Sequence, residues 1–304
     1  MFLLASSYQM WSCIFLPSVQ EAMRRIKVQG LLNLTLINTR ICFDLREPLV
    51  LIVIRSRPDR QDRRKAIRDT WANPCTYDPN KVRYLFLTGK QPGPQSVYVD
   101  EVLQREFDCY GDIVQYDSLD GYHLLPKKQF IALSLVHHLC SNFPFVFMTD
   151  EDFLINIPKL TEYLLQVPSE NRKYFVGGHL YKNVHPTRDK GSKYYVEYDV
   201  YPNKTYPPFV AGGASFISTS LIQSILAEMS TLLTEIHLED VRMGIVLQRL
   251  DIVSIDVNGI CIWPVECRLI HLNNLIAKHG YNDEKSLYRD WKKLNLSLNY
   301  HVHC

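Results

Sequence analysis

Residues 49–54 read LVLIVI, six aliphatic side chains with no polar residue between them. A strand with apolar side chains on both of its sides is typical of a parallel sheet that helices cover on both faces. A second apolar run, FVFM at 145–148, has the same character. Short apolar runs alternate with longer amphipathic stretches from the first run onward. This alternation predicts a single α/β domain with a mainly parallel central sheet flanked by helices.

The same patterning predicts the remaining elements and the domain boundary. Helices are predicted at 59–71, 99–107, 126–140, 156–167, 220–229 and 239–250, and further strands at 82–87, 112–116, 174–176 and 194–200. The segment YPPFVAGGASFIS at 206–218 is predicted to be a turn because of its Pro and Gly residues. Regular patterning begins near residue 48, so residues 1–47 are expected to be a leader or stem and residues 48–304 one domain.

Composition excludes several classes of protein. The chain has 304 residues, with 34 Lys+Arg against 32 Asp+Glu and a formal net charge of +2. This balance argues against nucleic acid as the main partner, because phosphate neutralisation needs a basic surplus. No G-x-G-x-x-G or G-x-x-x-x-G-K motif occurs, which disfavours dinucleotide and P-loop sites. The eight cysteines form no C-x-x-C pair, so zinc-knuckle and thioredoxin sites are also disfavoured.

The cellular compartment is only weakly indicated. Three N-x-[ST] sequons, at Asn33, Asn203 and Asn295, favour the secretory lumen slightly. Residues 1–16 are largely apolar and uncharged, which fits a signal-peptide core, a short anchor or a loosely structured leader.

An acidic triplet, Asp150, Glu151 and Asp152, directly follows the FVFM run. Open α/β sheets bind ligands at the carboxyl ends of their parallel strands. Alternation along an extended segment points Asp150 and Asp152 to the same side, where both could face a hard cation such as magnesium or manganese. The alternative is a solvated acidic turn before the next helix.

Basic side chains that could bind a diphosphate occur in two predicted helices. Arg64 and Arg68 are four residues apart and share a helix face, where guanidinium groups suit a diphosphate or a carboxylate. Lys127 and Lys128 lie at a predicted helix start. A solvated basic face is the alternative.

Glu239 and Asp240 lie at the start of another predicted helix. Carboxylates at such a position are stabilised by the helix dipole, so capping alone could explain them. In the functional interpretation, Asp240 is a general base that takes a proton from a substrate hydroxyl. Gly212 and Gly213 mark a place where the backbone must approach another group closely.

The order of these motifs resembles the beta-1,3-galactosyltransferase family, which includes the beta-1,3-N-acetylglucosaminyltransferases. The resemblance runs from about Leu49 to Cys304. The matching stretches are RRKAIRDTW (63–71), YGDIVQYDSLDGYHLLPKK (110–128), FVFMTDEDFLIN (145–156), YPPFVAGGASFIS (206–218) and EDVRMGIVLQRLDI (239–252). The resemblance implies an A-type glycosyltransferase fold, a UDP-sugar donor, a manganese ion and inversion at the anomeric carbon.

The resemblance also implies site roles. Asp152 is expected to ligate the metal, with His279 as second ligand and His271 as the fallback. Asp150 is expected to contact the donor's ribose or sugar, and Asp240 to be the base. The residues expected near the UDP-sugar are Arg64, Arg68, Lys127, Gly212 and Gly213.

Some positions depart from the family pattern. Glu151 replaces the central Asp, the Lys usually found just before the triplet is missing, and Ala214 replaces the third Gly of a triplet.

The expected protein is an inverting hexosyltransferase that moves galactose or N-acetylhexosamine from a UDP-sugar to a sugar hydroxyl, with beta-1,3 linkage, on a glycoprotein or glycolipid. By resemblance it is a single-pass Golgi membrane protein with a lumenal catalytic domain. The departures motivate an alternative, a catalytically impaired family member that binds glycans or proteins in the lumen. A metal-dependent phosphohydrolase ranks last, because no further His/Asp cluster is available for a second metal.

Overall fold

The computed structural model describes residues 27–28, 32–43, 45–232, 236–267, 270–271 and 274–297. One mixed sheet contains nine of the described strands, and a small sheet contains three more. The strands in chain order are β1 (Lys27–Val28), β2 (Leu32–Leu36), β3 (Val50–Arg55), β4 (Val82–Lys90), β5 (Ile113–Leu119), β6 (Phe145–Asp150), β7 (Phe153–Ile155), β8 (Val176–Tyr181), β9 (Phe209–Ser218), β10 (Ile255–Asp256), β11 (Ile260–Cys261) and β12 (Ala277–His279). The described α-helices are α1 (Gln61–Asp69), α2 (Ser96–Tyr110), α3 (Leu125–Leu139), α4 (Ile157–Gln166), α5 (Ile222–Thr231), α6 (Glu239–Arg249), α7 (Pro264–Cys267) and α8 (Glu284–Ser297).

The large sheet has the order β1-β2-β5-β4-β3-β6-β9-β8-β10. Its four central strands, β5, β4, β3 and β6, are parallel, whereas β2 and β9 pair with them in the antiparallel direction. The prediction of an α/β domain around a parallel central sheet is therefore confirmed, and antiparallel strands extend that sheet on both sides. The carboxyl ends of β3 and β6 lie side by side, because Arg55 and Asp150 are directly paired.

The LVLIVI run forms β3, which is buried along its whole length. Its side chains alternate between two apolar layers: Ile52 and Ile54 pack with α1, α2, α4 and α8, and Leu51 and Val53 pack with α3, α5 and α6. Helices on both faces explain why no polar residue interrupts this strand.

The small sheet brings the C-terminal part of the chain to the acidic triplet. Its order is β11-β12-β7, and β12 pairs with β7 in the antiparallel direction. In that pairing His279 lies opposite Phe153, the residue directly after the triplet. This pairing, and not proximity in the sequence, places His279 next to Asp152.

Two predicted elements are wrong. Residues 206–218 do not form a turn, because Phe209–Ser218 is the long strand β9, hydrogen-bonded to β6 on one side and β8 on the other. Residues 194–200 do not form a strand. They lie in a loop that the Arg188 guanidinium holds by donating 2.6 Å hydrogen bonds to the carbonyl oxygens of Val196 and Tyr201.

Residues before position 48 contribute to the fold. Strand β2 pairs with β5 in the large sheet, and Cys42 forms a disulfide with Cys140 at the end of α3. The predicted boundary at residue 48 thus falls after a segment that already belongs to the sheet. The apolar segment 1–16 lies outside the described residues, and no helix within the described ranges is both long and apolar enough to cross a membrane.

Candidate active site

Arg55 binds two carboxylates at the carboxyl edge of the sheet. Its Nε and Nη2 donate to the two Asp150 oxygens at 2.7 and 2.9 Å, and its Nη1 donates to Glu239 Oε1 at 2.8 Å. The side chain of Arg55 is 2% exposed, that of Glu239 12% and that of Asp150 34%, so these charge-assisted bonds are shielded from solvent mainly on the arginine side. Arg55 thus connects the acidic triplet after β6 to the Glu-Asp pair at the start of α6.

Asp152 and His279 face each other beside this cluster. His279 Nε2 lies 3.2 Å from Asp152 Oδ2, and His279 Nδ1 lies 3.2 Å from the carbonyl oxygen of Ile262. The hydrogen bond with Asp152 raises the pKa of His279. The second carboxylate oxygen, Oδ1 of Asp152, is buried and has no hydrogen-bond partner among the residues that the structure describes.

These two side chains fit a divalent cation. An unpartnered buried carboxylate oxygen is costly unless something binds it, and an imidazole whose Nδ1 is held by a carbonyl presents Nε2 as a ligand. Within the described ranges, no group of three or more His, Cys, Asp or Glu side chains is arranged so that it could hold a metal ion by itself. A cation here would therefore need further ligands from substrate phosphate or water, as magnesium and manganese commonly do.

Asp240 has the titration behaviour of a general base. The pKa of its carboxyl is raised to about 7, mainly by burial and then by the neighbouring Glu239 carboxylate, against the opposing effects of the Val241 backbone N–H and the Arg55 charge. A carboxylate with a pKa near neutrality can accept a proton efficiently from a hydroxyl that is being activated.

Gly212 and Gly213 lie in β9 where the carboxylates approach the backbone. A Cβ at Gly212 would lie 2.5 Å from Glu239 Oε1, and one at Gly213 would lie 2.5 Å from the Phe153 ring and 3.0 Å from Asp150 Oδ2. Side chains at these positions would occupy the space of the Arg55-bound carboxylates. The close approach expected from the glycine pair is therefore to Glu239, Asp150 and Phe153.

Glu151 does not face the same way as its two neighbours. Its Oε2 accepts hydrogen bonds from Ser56 Oγ at 2.6 Å and from the backbone N–H of Arg57 at 3.2 Å. Burial raises the pKa of Glu151 to about 7, although the Ser56 hydrogen bond lowers it. Glu151 thus holds the loop that follows β3.

Arg64 and Arg68 are buried beneath that loop. Both guanidinium groups bind Glu106, and Arg68 also binds Asp112 through two 2.7 Å hydrogen bonds. Arg64 additionally donates to Ser56 Oγ and to the carbonyl oxygen of Arg57. Their shared helix face is as expected, and the groups they contact are protein carboxylates and backbone carbonyls. A contact with UDP stays a prediction.

The two lysines at the start of α3 have different environments. Lys128 is buried and its Nζ donates 2.7 Å hydrogen bonds to the Ser56 carbonyl and to Asp120. Lys127 is exposed and lines a cavity near α6. His271, the alternative metal ligand, is exposed in a loop, whereas His279 is the histidine beside the triplet.

The sequence did not indicate that Arg55 belongs to the candidate site or that Glu239 forms an ion pair with it. A single Arg after an apolar run looks like a solvated strand end, and Glu239 looks like a helix cap. The usable signal is position: Arg55 ends a parallel strand, at the sheet edge where ligands bind.

A family model described as galactosyltransferase matches residues 62–258. Human beta-1,3-galactosyltransferase 1 is 30% identical over 257 residues, which cover 84% of this chain and 76% of that protein. Lactosylceramide 1,3-N-acetyl-beta-D-glucosaminyltransferase A of Xenopus laevis is 31% identical over 221 residues, covering 71% of this chain and 58% of the relative. Among solved structures, a glycosyltransferase involved in glycosylation of the major capsid of PBCV-1 aligns with a TM-score of 0.41 and 9% identity, over 81% of this chain and 100% of that one. The family model and the relatives, which match most of the chain, show that this protein belongs to the galactosyltransferase family.

Proposed function

We propose that this hexosyltransferase moves galactose or N-acetylhexosamine from a UDP-sugar to a glycan hydroxyl, with inversion and a beta-1,3 linkage. The observation that carries the proposal is the convergence of Asp150, Asp152, Glu239, Asp240 and His279 at the carboxyl edge of β3 and β6. A half-buried acidic cluster beside an imidazole can serve both a diphosphate leaving group and an attacking hydroxyl.

Asp240 is the base of the proposed reaction. Its carboxylate takes the proton from the acceptor hydroxyl as the oxygen attacks the anomeric carbon, and the bond from that carbon to the UDP oxygen breaks. A single displacement of this kind inverts the anomeric configuration. The pKa of about 7 keeps a substantial fraction of Asp240 ionised at neutral pH.

Asp152 and His279 are the residues that would hold manganese. When bound, the ion supplies positive charge to the diphosphate that leaves. The unpartnered Oδ1 of Asp152 and the Nδ1-anchored ring of His279 support this assignment.

Arg55 orients the donor side of the proposed site. By binding both oxygens of Asp150, it fixes the carboxylate plane and leaves the outer lone pairs for a ribose or sugar hydroxyl. The same guanidinium fixes Glu239 directly before the base. Arg64 and Arg68 support the loop after β3 from below.

A donor screen tests the function. The purified chain with manganese is offered UDP-galactose, UDP-N-acetylglucosamine and UDP-N-acetylgalactosamine. Lactose is the first acceptor to test, because one relative is named for lactosylceramide. Transfer should occur with one of the donors and fall by roughly two to four decades in Asp240→Asn. Transfer that is unchanged in Asp240→Asn contradicts the assignment of the base, and UDP binding without transfer supports a glycan-binding family member instead.

The proposed location is the Golgi membrane, with the catalytic domain, including β2, on the lumenal side. The cysteines in the described residues support an oxidising compartment, since Cys42–Cys140 and Cys261–Cys267 are bonded and Cys75 and Cys109 are also in disulfides. Detection of the chain in a Golgi membrane fraction, protected from added protease until detergent is present, checks this proposal.

A further inference from the structure

A cavity of about 370 Å³ lies next to the start of α6, and its polar lining is basic. Lys127, Arg242 and the imidazoles of His123 and His237 supply the polar groups, while Phe130 and Ile236 contribute to an apolar wall. None of the described residues that line the cavity is acidic. Its volume is within the range of small-molecule sites, which start at about 300 Å³.

The cavity lies beside the first turn of α6, which carries Glu239 and Asp240. His237 and Arg242 line the cavity and come two residues before Glu239 and two residues after Asp240, whereas none of the four residues Glu239, Asp240, Asp152 and His279 lines it. A group bound in the cavity would therefore lie next to the helix turn that carries the proposed base.

The Tyr122 ring connects the cavity to the acidic cluster. Its centroid is 5.6 Å from that of His123 and 6.5 Å from that of His237. Burial raises the pKa of Tyr122, and Glu239, Asp240 and Asp150 raise it further through their charges, so the phenol also lies near these carboxylates. Aromatic rings of this kind pack against the apolar faces of sugars.

Cationic side chains also lie in the cavity and near this ring. Lys127 forms no ion pair or hydrogen bond within the described part of the chain. Lys193 Nζ lies 5.7 Å from the Tyr122 ring centroid, which adds another cation to this surface. Cations beside an apolar wall favour a ligand that joins a negative group to an apolar face.

We propose that this cavity is an acceptor subsite that binds an anionic substituent, a carboxylate or a sulfate, on the glycan whose hydroxyl reaches Asp240. The proposal rests on the proposed function and adds a substrate class to it, namely acidic glycans. Lys127 is its main anion contact, and the apolar wall accommodates the sugar carbons or an N-acetyl methyl group beside the charge.

Binding measurements test the subsite without requiring transfer. Ligand-observed NMR titrations of the full chain with UDP present give dissociation constants for lactose, 6′-sulfolactose and 6′-sialyllactose. These probes leave the 3-hydroxyl of galactose free and differ in the presence and type of anion. At low salt, at least one charged probe should bind about tenfold more tightly than lactose, and the advantage should shrink as salt is added.

Two matched variants identify the contact. Lys127→Gln should bring the ratio of charged to neutral affinity close to one, whereas Lys292→Gln, which removes an exposed lysine on α8, should leave the ratio unchanged. Because the ratio compares two ligands on the same variant, a general loss of binding cancels.

Each outcome has a defined meaning. Preference for only one charged probe identifies the anion as sulfate or carboxylate and supports the subsite. Equal affinities for all three probes, undetectable binding of both charged probes at millimolar concentration, or a preference that persists in Lys127→Gln overturns it. If the charge preference is found but no UDP-sugar supports transfer, the proposed function fails and the subsite stands.

Discussion

Arg55 and Asp150 are directly paired in the parallel register of β3 and β6, and the guanidinium of one binds both carboxylate oxygens of the other. The pairing sets two opposite charges at the same level of the sheet edge. Because the third guanidinium nitrogen binds Glu239, 184 positions later in the chain, one side chain orients two separate acidic motifs.

Loss of the Arg55 charge should affect both stability and catalysis. Arg55→Met leaves Asp150 and Glu239 close together without a cation, and removing one partner of a buried ion pair costs about 3–5 kcal/mol. Arg55→Lys restores the charge but cannot bind both Asp150 oxygens in parallel, so it should recover part of the stability and little of kcat. Chemical denaturation and steady-state kinetics measure the two effects.

Arg57→Met is the control for this pair of variants, because Arg57 is exposed and, within the described ranges, its side chain pairs with Asp59 only. Equal losses of stability in Arg55→Met and Arg57→Met would contradict the role of the buried pair.

The rate of sugar transfer should fall as the pH is lowered below 7. Asp240 acts as a base only when ionised, and its pKa of about 7 means that kcat should fall roughly tenfold per pH unit below that value. The charge of Arg55 lowers this pKa, so the acid limb should move to higher pH in Arg55→Met. The groups near Asp240 from other elements, Arg55 and the phenols of Tyr122 and Tyr206, keep their charge state near neutrality. A rate profile measured from pH 5 to 9 that is flat below 7 would rule Asp240 out as the base.

A methyl group added at Gly213 should disrupt the candidate site, whereas one added at an uncrowded glycine should have little effect. In Gly213→Ala the new Cβ meets the Phe153 ring at 2.5 Å and Asp150 Oδ2 at 3.0 Å, so Asp150 must move. Overpacking of this kind costs about 1–3 kcal/mol, and the affinity for the UDP-sugar should fall with it. Gly191→Ala is the matched control, since its nearest contact would be an ordinary 3.4 Å to Asp189. Unchanged donor affinity in Gly213→Ala would remove Asp150 from the donor site.

His279→Ala should weaken metal activation specifically. The ring lies 3.2 Å from Asp152 Oδ2, so the manganese concentration for half-maximal transfer should rise at least tenfold, by analogy with the 10- to 100-fold losses seen on perturbing metal-site residues. His271→Ala serves as the comparison, because that histidine lies in an exposed loop. A larger effect of His271→Ala than of His279→Ala would reverse the choice of ligand.

Local patterning was sufficient where the structure depends on side-chain periodicity. The runs at 49–54 and 145–148 became the adjacent parallel strands β3 and β6, and the helices on both faces followed from amphipathic spacing. Patterning failed at 206–218, where Pro and Gly suggested a turn. There the two glycines lie within a strand and allow carboxylates to approach it closely; their local pattern predicted the close approach but not the strand.

The sequence by itself determined the α/β class, the position of the triplet at a strand end and the membership of the family, because each depends on residues that are near one another in the chain or on the order of motifs. The tertiary structure alone decided which groups meet. It placed His279 at Asp152 through the pairing of β12 with β7. It also paired Arg64 and Arg68 with Glu106 and Asp112 inside the protein. It also joined Asp150 to Glu239 through Arg55. Electrostatic partners of this kind lie tens to hundreds of residues apart, and only the pairing of strands and the packing of helices bring them within hydrogen-bond distance.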